Sequence, residues 1–285
     1  TLFVGMMNDQ IQNAAVALAA PALLAFNAVI NLFGIGSSSM MSRALGRGDL
    51  KTVCASASLG FYGTVVSGAL LSALCYIFMQ PFVVLLGGDI NTAAATTAYM
   101  NWAVVCGAIP TILNVVMGYM VRAEGASLHA SIGTMSGCIL NMILDPFFIL
   151  PWGLGMGAAG AGLATFLSNC FACCYFFVLL MVRKKKTNIN LNPKYLSLTK
   201  EIVFGVMEVG IPAAIQNLLN VTGMTILNNF VAGYGSSAVA AVGIAQKVYM
   251  VPIQVALGGT QGVMPLVGYS YASKNKQRFE ETIQT

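Results

Sequence analysis

The sequence predicts an all-α polytopic membrane protein, and three observations carry that prediction. Of its 285 residues, 57% are hydrophobic and only 8% charged, against about 25% charged in an ordinary soluble domain. Mean hydropathy is +0.78, and between Lys51 and Arg122 the one acidic or basic residue is Asp89. The apolar runs are continuous rather than alternating, which fits helices of about 20 residues crossing the hydrocarbon core and not barrel strands of about 10. A water-facing surface cannot be built from so few charges, so the remaining solvent is lipid.

Polar or Gly/Pro punctuation separates seven apolar runs, near 12–42, 52–79, 92–121, 129–150, 157–182, 201–232 and 236–268. Residues Thr1 to Gly5 read as the outer end of an earlier span. Their connections alternate in charge. Arg43, Arg47 and Lys51, then Arg122, then six bases over 183–200, then Lys274, Lys276 and Arg278 occupy one set, whereas the other set carries only Asp9 and Asp89. The positive-inside rule therefore expects the basic loops in the cytoplasm of a multi-pass plasma (inner) membrane protein. The net charge of +5 needs no nucleic acid partner to explain it. A start at Thr1 and a stop inside the amphipathic stretch Phe279–Thr285 are read as truncations of a longer chain.

The longest polar stretch, Arg183 to Lys200, divides the chain into 1–182 and 201–285. The four bases Arg183–Lys186 read as a topology anchor, with anionic lipid head groups as a second reading. Across this linker the chain partly repeats. Aligning 14–49 with 240–275 pairs Ala14 with Ala240, Ala15 with Ala241, Val16 with Val242, Ala19 with Ala245, Val29 with Val255 and Gly36 with Gly262. Both segments follow a short outer loop and end at a basic one, so the repeats are parallel, as in transporters built from two like-oriented lobes.

Ionisable groups inside a membrane cost roughly 2.5–3.5 kcal/mol at a helix centre on insertion scales, so each is a functional candidate. Asp145 lies in Asn141-Met142-Ile143-Leu144-Asp145-Pro146. Asn141 and Asp145, four apart, share a helix face, and Pro146 leaves the Met142 carbonyl without its helical N–H. A carboxylate, a carboxamide and a freed carbonyl suit a proton or a hard cation such as Na⁺; a helix kink with Asp145 bonded to a neighbouring helix is the competing reading. Lys247, Gln254 and Gln261 recur every seven residues on one stripe, and Gln216, Asn217, Asn220, Asn228 and Asn229 also want an interior setting. These side chains read either as the lining of a substrate cavity or as interhelical hydrogen-bond packing. Glu208 reads as a solvated interface charge, Arg122 with Glu124 as a charge pair closing a loop, and His129 as structural. The seven cysteines, Cys54, Cys75, Cys106, Cys138, Cys170, Cys173 and Cys174, lie in apolar runs and read as packing residues. No enzyme constellation is present in the sequence, such as His-Glu-x-x-His or a Ser or Cys with a nearby His.

The segments Arg122-Ala123-Glu124-Gly125, Asn141 to Ile149 and Gly160-Ala161-Gly162-Leu163-Ala164-Thr165 resemble the first lobe of the multidrug and toxic compound extrusion (MATE) family. Ser42 to Gly48, Gly210-Ile211-Pro212 and Gln261 to Pro265 extend the resemblance over essentially the whole chain. It implies a twelve-helix fold of two six-helix lobes, of which this chain holds the end of helix 1 through helix 8 and the start of helix 9. It also implies antiport of drugs or other organic, often cationic, compounds against Na⁺ or H⁺, by a monomer in the bilayer with no cofactor beyond the coupling ion. In some members of the family an Asn and an Asp of helix 5 and a Thr of helix 6 form the first-lobe ion site; the resemblance places these at Asn141, Asp145 and Thr165. The helix-1 acid of that site would precede Thr1, and Asn220 stands where some relatives carry a helix-7 Glu. A lipid-linked precursor flippase of related fold is the alternative, disfavoured because Lys247 is the sole base inside a span; an intramembrane enzyme is a more distant one.

Overall fold

The computed structural model describes residue 4 and residues 9–85, 90–184, 187–233 and 236–284; the side chains of Lys247, Asn228 and Asn229 lie outside the described set, as do Asp89 and most of Thr1–Gly5. Helices α1 (Gln10–Leu18), α2 (Ala20–Val29) and α3 (Gly36–Gly46) follow one another, with a π-helical turn at Ile30–Ile35 between α2 and α3. Then come α4 (Leu50–Ile77), α5 (Met79–Leu85), α6 (Ile90–Met100), a second π turn at Asn101–Cys106, and α7 (Ala108–Ala123). Helices α8 (Ser127–Ile149), α9 (Ala158–Val182), α10 (Lys200–Ala232), α11 (Ser236–Ala272) and α12 (Lys276–Gln284) complete the chain. Among the described residues six stretches are long and apolar enough to cross a membrane, and a bent pair makes up to seven.

The bent pair is a difference from the continuous helix expected over 92–121. Residues Thr92–Cys106 and Ala108–Ala123 meet at 46°. Gly107 at the junction has little helix propensity, and Pro110 has no N–H to return to the Cys106 carbonyl. The π turn just before them already widens the ladder, so the break falls there.

The core lies among α2 to α9 and is filled by Met41, Met100, Ile112, Met117, Met120 and Phe176, all with 2% exposure or less. Lipid gives helices no hydrophobic reason to associate, so small residues that permit close approach set the crossings. Gly133 lies under the Phe176 ring, and a Cβ on Gly137 would sit 3.1 Å from that of Ala172, which draws α8 onto α9.

The same device joins the first helices to α10 and α11, at the end of the molecule that carries the basic loops. A Cβ on Gly36 would lie 2.4 Å from the Val206 carbonyl oxygen, and one on Gly210 would lie 2.2 Å from that of Leu32. The ideal Cβ of Gly268 comes 3.3 Å from the Ser42 Cβ. Arg43 Nη2 donates to the Gly205 carbonyl at 3.2 Å, and Gln261 Nε2 donates to the Tyr119 hydroxyl at 3.2 Å. Toward the other end of α11 a Cβ at Gly243, Gly258 or Gly259 would meet nothing within 4 Å among the described residues.

Arg122 and Glu124 do not close on each other as expected. Arg122 lies over the Tyr119 ring, 5.8 Å from its centroid, a cation–π distance. Glu124 instead captures the linker, accepting from the Thr187 hydroxyl at 2.5 Å and the Asn188 N–H at 2.6 Å. From there the linker runs along α4. Cys54, Ser58 and Tyr62, spaced by one turn, donate to the carbonyls of Asn188, Asn190 and Leu191 at 3.1, 2.8 and 2.7 Å. Ile189 is buried in the core cluster. The first half of the polar linker is thus strapped to the first helices, and the second half, with its short turn Pro193–Tyr195, connects to α10.

Burial pushes the Glu124 carboxyl above its usual range, and the bonds from Thr187 and Asn188 and the charge of Arg183 oppose this only in part. A carboxyl raised in the folded state adds stability that is complete below its unfolded value and is lost as pH rises through the folded one. Strap docking should therefore loosen modestly as pH rises through that raised value. Glu124→Gln, which can still accept from Asn188 and donate to Thr187, should hold the strap at neutral pH. Glu124→Ala leaves a buried N–H unpaired, a cost of about 1–3 kcal/mol, and should lower amide-exchange protection over 188–191 by roughly ten-fold. Unchanged protection in the Ala variant would show that Glu124 does not hold the strap.

Candidate functional site

Helices α8 and α9 meet closely enough to bring three of the expected residues together. Gly160 at the start of α9 presses on the end of α8, where an added Cβ would come 2.4 Å from the Phe148 carbonyl oxygen. The first turn of α9 is anchored by Gln12 of α1, whose side-chain oxygen accepts the Ala158 N–H at 2.7 Å. Gly157 precedes it at φ +57°, a left-handed conformation that suits glycine. These contacts set the height of α9 against α8, and Thr165 arrives opposite Asn141.

Asn141 Nδ2 lies 3.5 Å from both Asp145 Oδ1 and Thr165 Oγ1. The Thr165 hydroxyl donates to the Ala161 carbonyl at 2.8 Å, so its lone pairs point to the amide. All three side chains are half-buried. Contacts of that length sit at the weak limit of hydrogen bonding, which makes the triad adjacent but not locked. Pro146 lies within α8, so the Met142 carbonyl has no helical N–H to accept.

The amide NH₂ occupies the centre of an oxygen-rich triangle. Turning the Asn141 amide over would present a carboxylate, a carboxamide oxygen and a hydroxyl to one point, a donor set for a hard cation. A proton on Asp145 would serve the same amide oxygen instead. Among the described residues no group of three or more His, Cys, Asp or Glu is placed to hold a metal.

Sequence reasoning missed the polar thread that continues from this triad. Asn169, one turn beyond Thr165, accepts from Asn114 Nδ2 at 2.6 Å and donates to Thr111 Oγ1 at 2.9 Å. Asn114 is buried on α7. Tyr99 on α6 is 6% exposed. Carboxamides in mid-span were the available signal for Asn114 and Asn169; Tyr99 and Thr111 gave none, because either side chain is ordinary packing material.

The second set of candidates separates. Asn220 and Gln254 line a cleft of about 650 Å³ between α10 and α11, with Gln246, Tyr249 and Met224. Gln261, on the same stripe, reaches across to Tyr119. Gln216 is exposed and Asn217 half-buried on α10, Glu208 is exposed near its basic end, and His129 is half-buried. Lys247 lies on α11, and its side chain is outside the described residues.

The MatE family model matches residues 1–147 and 212–285. The chain is 31% identical over 283 residues to the Multidrug export protein MepA of Staphylococcus saprophyticus, covering 99% of this chain and 61% of that protein. The same protein of Staphylococcus aureus matches at 31% over the same extent. Among solved structures, an outward-facing multidrug resistance MATE family transporter of the MOP superfamily superposes with a TM-score of 0.86 at 25% identity, over 99% of this chain and 63% of that one. A MATE crystal structure in the straight conformation gives a TM-score of 0.90 at 23% identity, over 99% and 63% respectively. The chain thus spans about three fifths of the length of the relatives it matches.

Proposed function

Because this chain belongs to the MatE family of membrane transporters, we propose that the full-length protein is a secondary antiporter exporting drugs or other organic, often cationic, compounds in exchange for Na⁺ or H⁺. The observation that carries this reading is the Asn141–Asp145–Thr165 triad within two membrane-spanning helices. A carboxylate at that depth is expensive unless it is used, and its partners are arranged loosely enough to admit and release a cation. The names of the relatives, multidrug export proteins, support the class of cargo.

In this reading residues 1–182 are the first lobe, 183–200 the linker and 201–285 part of the second lobe. The basic loops face the cytoplasm of the plasma membrane. The packing of Gly36, Gly210 and Gly268 then joins the two lobes on the cytoplasmic side. The cleft lined by Asn220 and Gln254 would belong to the substrate cavity, and coupling would run through the first lobe. A cation that binds the two arrangements with unequal affinity shifts their balance, and alternating access follows.

The test is transport by the full-length protein in sealed vesicles, with Na⁺ and H⁺ gradients imposed separately. Efflux of an organic cation should follow one gradient and collapse when that gradient is dissipated. Efflux indifferent to both would end the antiport reading.

A further inference from the structure

At the basic end, the last turns of α3 and α11 and the start of α12 enclose a cavity of about 700 Å³. Arg43 and Arg47 line it from one side, and Ser270, Tyr271, Lys274 and Phe279 from the other. Among the described residues three cations converge there, and the lining includes no acid. Ser270 is 0% exposed, and its hydroxyl has no hydrogen-bond partner among the described residues. A buried hydroxyl is ordinarily satisfied, so an orphan on the wall of a cationic cavity indicates a missing acceptor or donor.

Two further features agree. Arg43 uses Nη2 on the Gly205 carbonyl and Nε on the Ser39 carbonyl, two of the five donors a guanidinium fork carries. Lys274 holds φ +56°, and among the described residues it is the non-glycine residue in the left-handed region. That position after a helix is one glycine fills most readily, yet here it carries a cationic side chain into the cavity.

We infer that this cavity binds a phosphate-bearing anion, with the head group of an anionic phospholipid as its source, and that the bound anion ties α3 to α11 at the basic end. Guanidinium forks match phosphate oxygens bidentately, Ser270 offers an O–H, and the Tyr271 and Phe279 rings, their centroids 6.0 Å apart, supply apolar surface beside the glycerol ester. Cations at helix C-termini also offset the local carbonyl dipoles; that role would act equally in any lipid. The tie between the two halves rests on the two-lobe reading above, whereas the binding itself does not.

The experiment uses the full-length protein in phosphatidylcholine nanodiscs with and without phosphatidylglycerol, and reads amide-exchange protection over 42–47 and 266–274. Phosphatidylglycerol should raise protection in the wild type, by about five-fold for each cation engaged. Arg47→Gln with Lys274→Gln should remove that increment. Lys274→Gly, which relieves the left-handed strain while deleting the charge, should lower the increment without lowering the phosphatidylcholine baseline. Inorganic phosphate added to phosphatidylcholine discs separates the sources: an equal effect from it would overturn the lipid assignment. A wild type indifferent to both anions, or variants that lose protection equally in both lipids, would overturn the site. Because no transport is read, failure here leaves the antiporter proposal standing, and failed transport with an intact lipid response does the reverse.

Discussion

Asp145→Asn in the full-length protein should reduce gradient-driven efflux to the level of empty vesicles while leaving membrane insertion and yield unchanged. The substitution preserves shape: the new carboxamide oxygen can still accept from Asn141 Nδ2, now 3.5 Å from Asp145 Oδ1. It removes only the charge. Insertion should be no harder, because a neutral carboxamide is less costly in an apolar span than a carboxylate. Neither a proton nor Na⁺ then gains a charge to bind, and an ion without differential affinity for the two arrangements shifts nothing. Thr165→Val, which removes one neutral oxygen, should weaken the apparent ion affinity rather than abolish transport. Efflux by the Asn variant equal to wild type would remove Asp145 from the mechanism.

The second large effect is expected from a cross-link. With the seven native cysteines replaced, Ser42→Cys and Gly268→Cys together should form a disulfide. The ideal Cβ of Gly268 lies 3.3 Å from that of Ser42, slightly short of the usual disulfide span of about 3.5–4.5 Å, so a small outward shift of the helices would accommodate the bond. The bond would pin α3 to α11 at the basic end. If the two halves rock apart there during each cycle, the oxidised double variant should transport at background, and a reductant should restore it. Each single variant, oxidised, should keep transporting, which separates the lock from the packing cost of a Cβ at Gly268. An oxidised, fully cross-linked protein that still transports would show that this contact never opens, and rigid-body alternation about it would fail.

Much of the fold could be read from residue chemistry alone. Each expected span, from 12–42 to 236–268, lies within a few residues of an observed helix or of a helix with a short break. The reason is local. In lipid every backbone N–H and C=O must be satisfied within its own segment, so an apolar run of sufficient length has one outcome. Asn141 and Asp145 were visible for a similar reason, since a four-residue spacing on a helix is a geometric fact and an acid in an apolar run stands out. Thr165 was visible only through resemblance; by composition it is one more small residue on a packed helix.

Tertiary structure decided whatever depends on which helix faces which. That Thr165 meets Asn141 depends on Gly137, Gly160 and Gln12 setting the height of α9, across separations of up to 146 residues. That Glu124 turns from Arg122 to the linker depends on α4 offering Cys54, Ser58 and Tyr62 to the same strand of backbone. Gln254 and Gln261 share a stripe, yet one lines a cleft and the other bonds Tyr119. Such pairings are settled by close approach between small residues far apart in the chain, where a single Cβ decides whether two helices touch. Local periodicity determines that a helix forms and which side is polar; the partner of that side is a long-range property of the packed bundle.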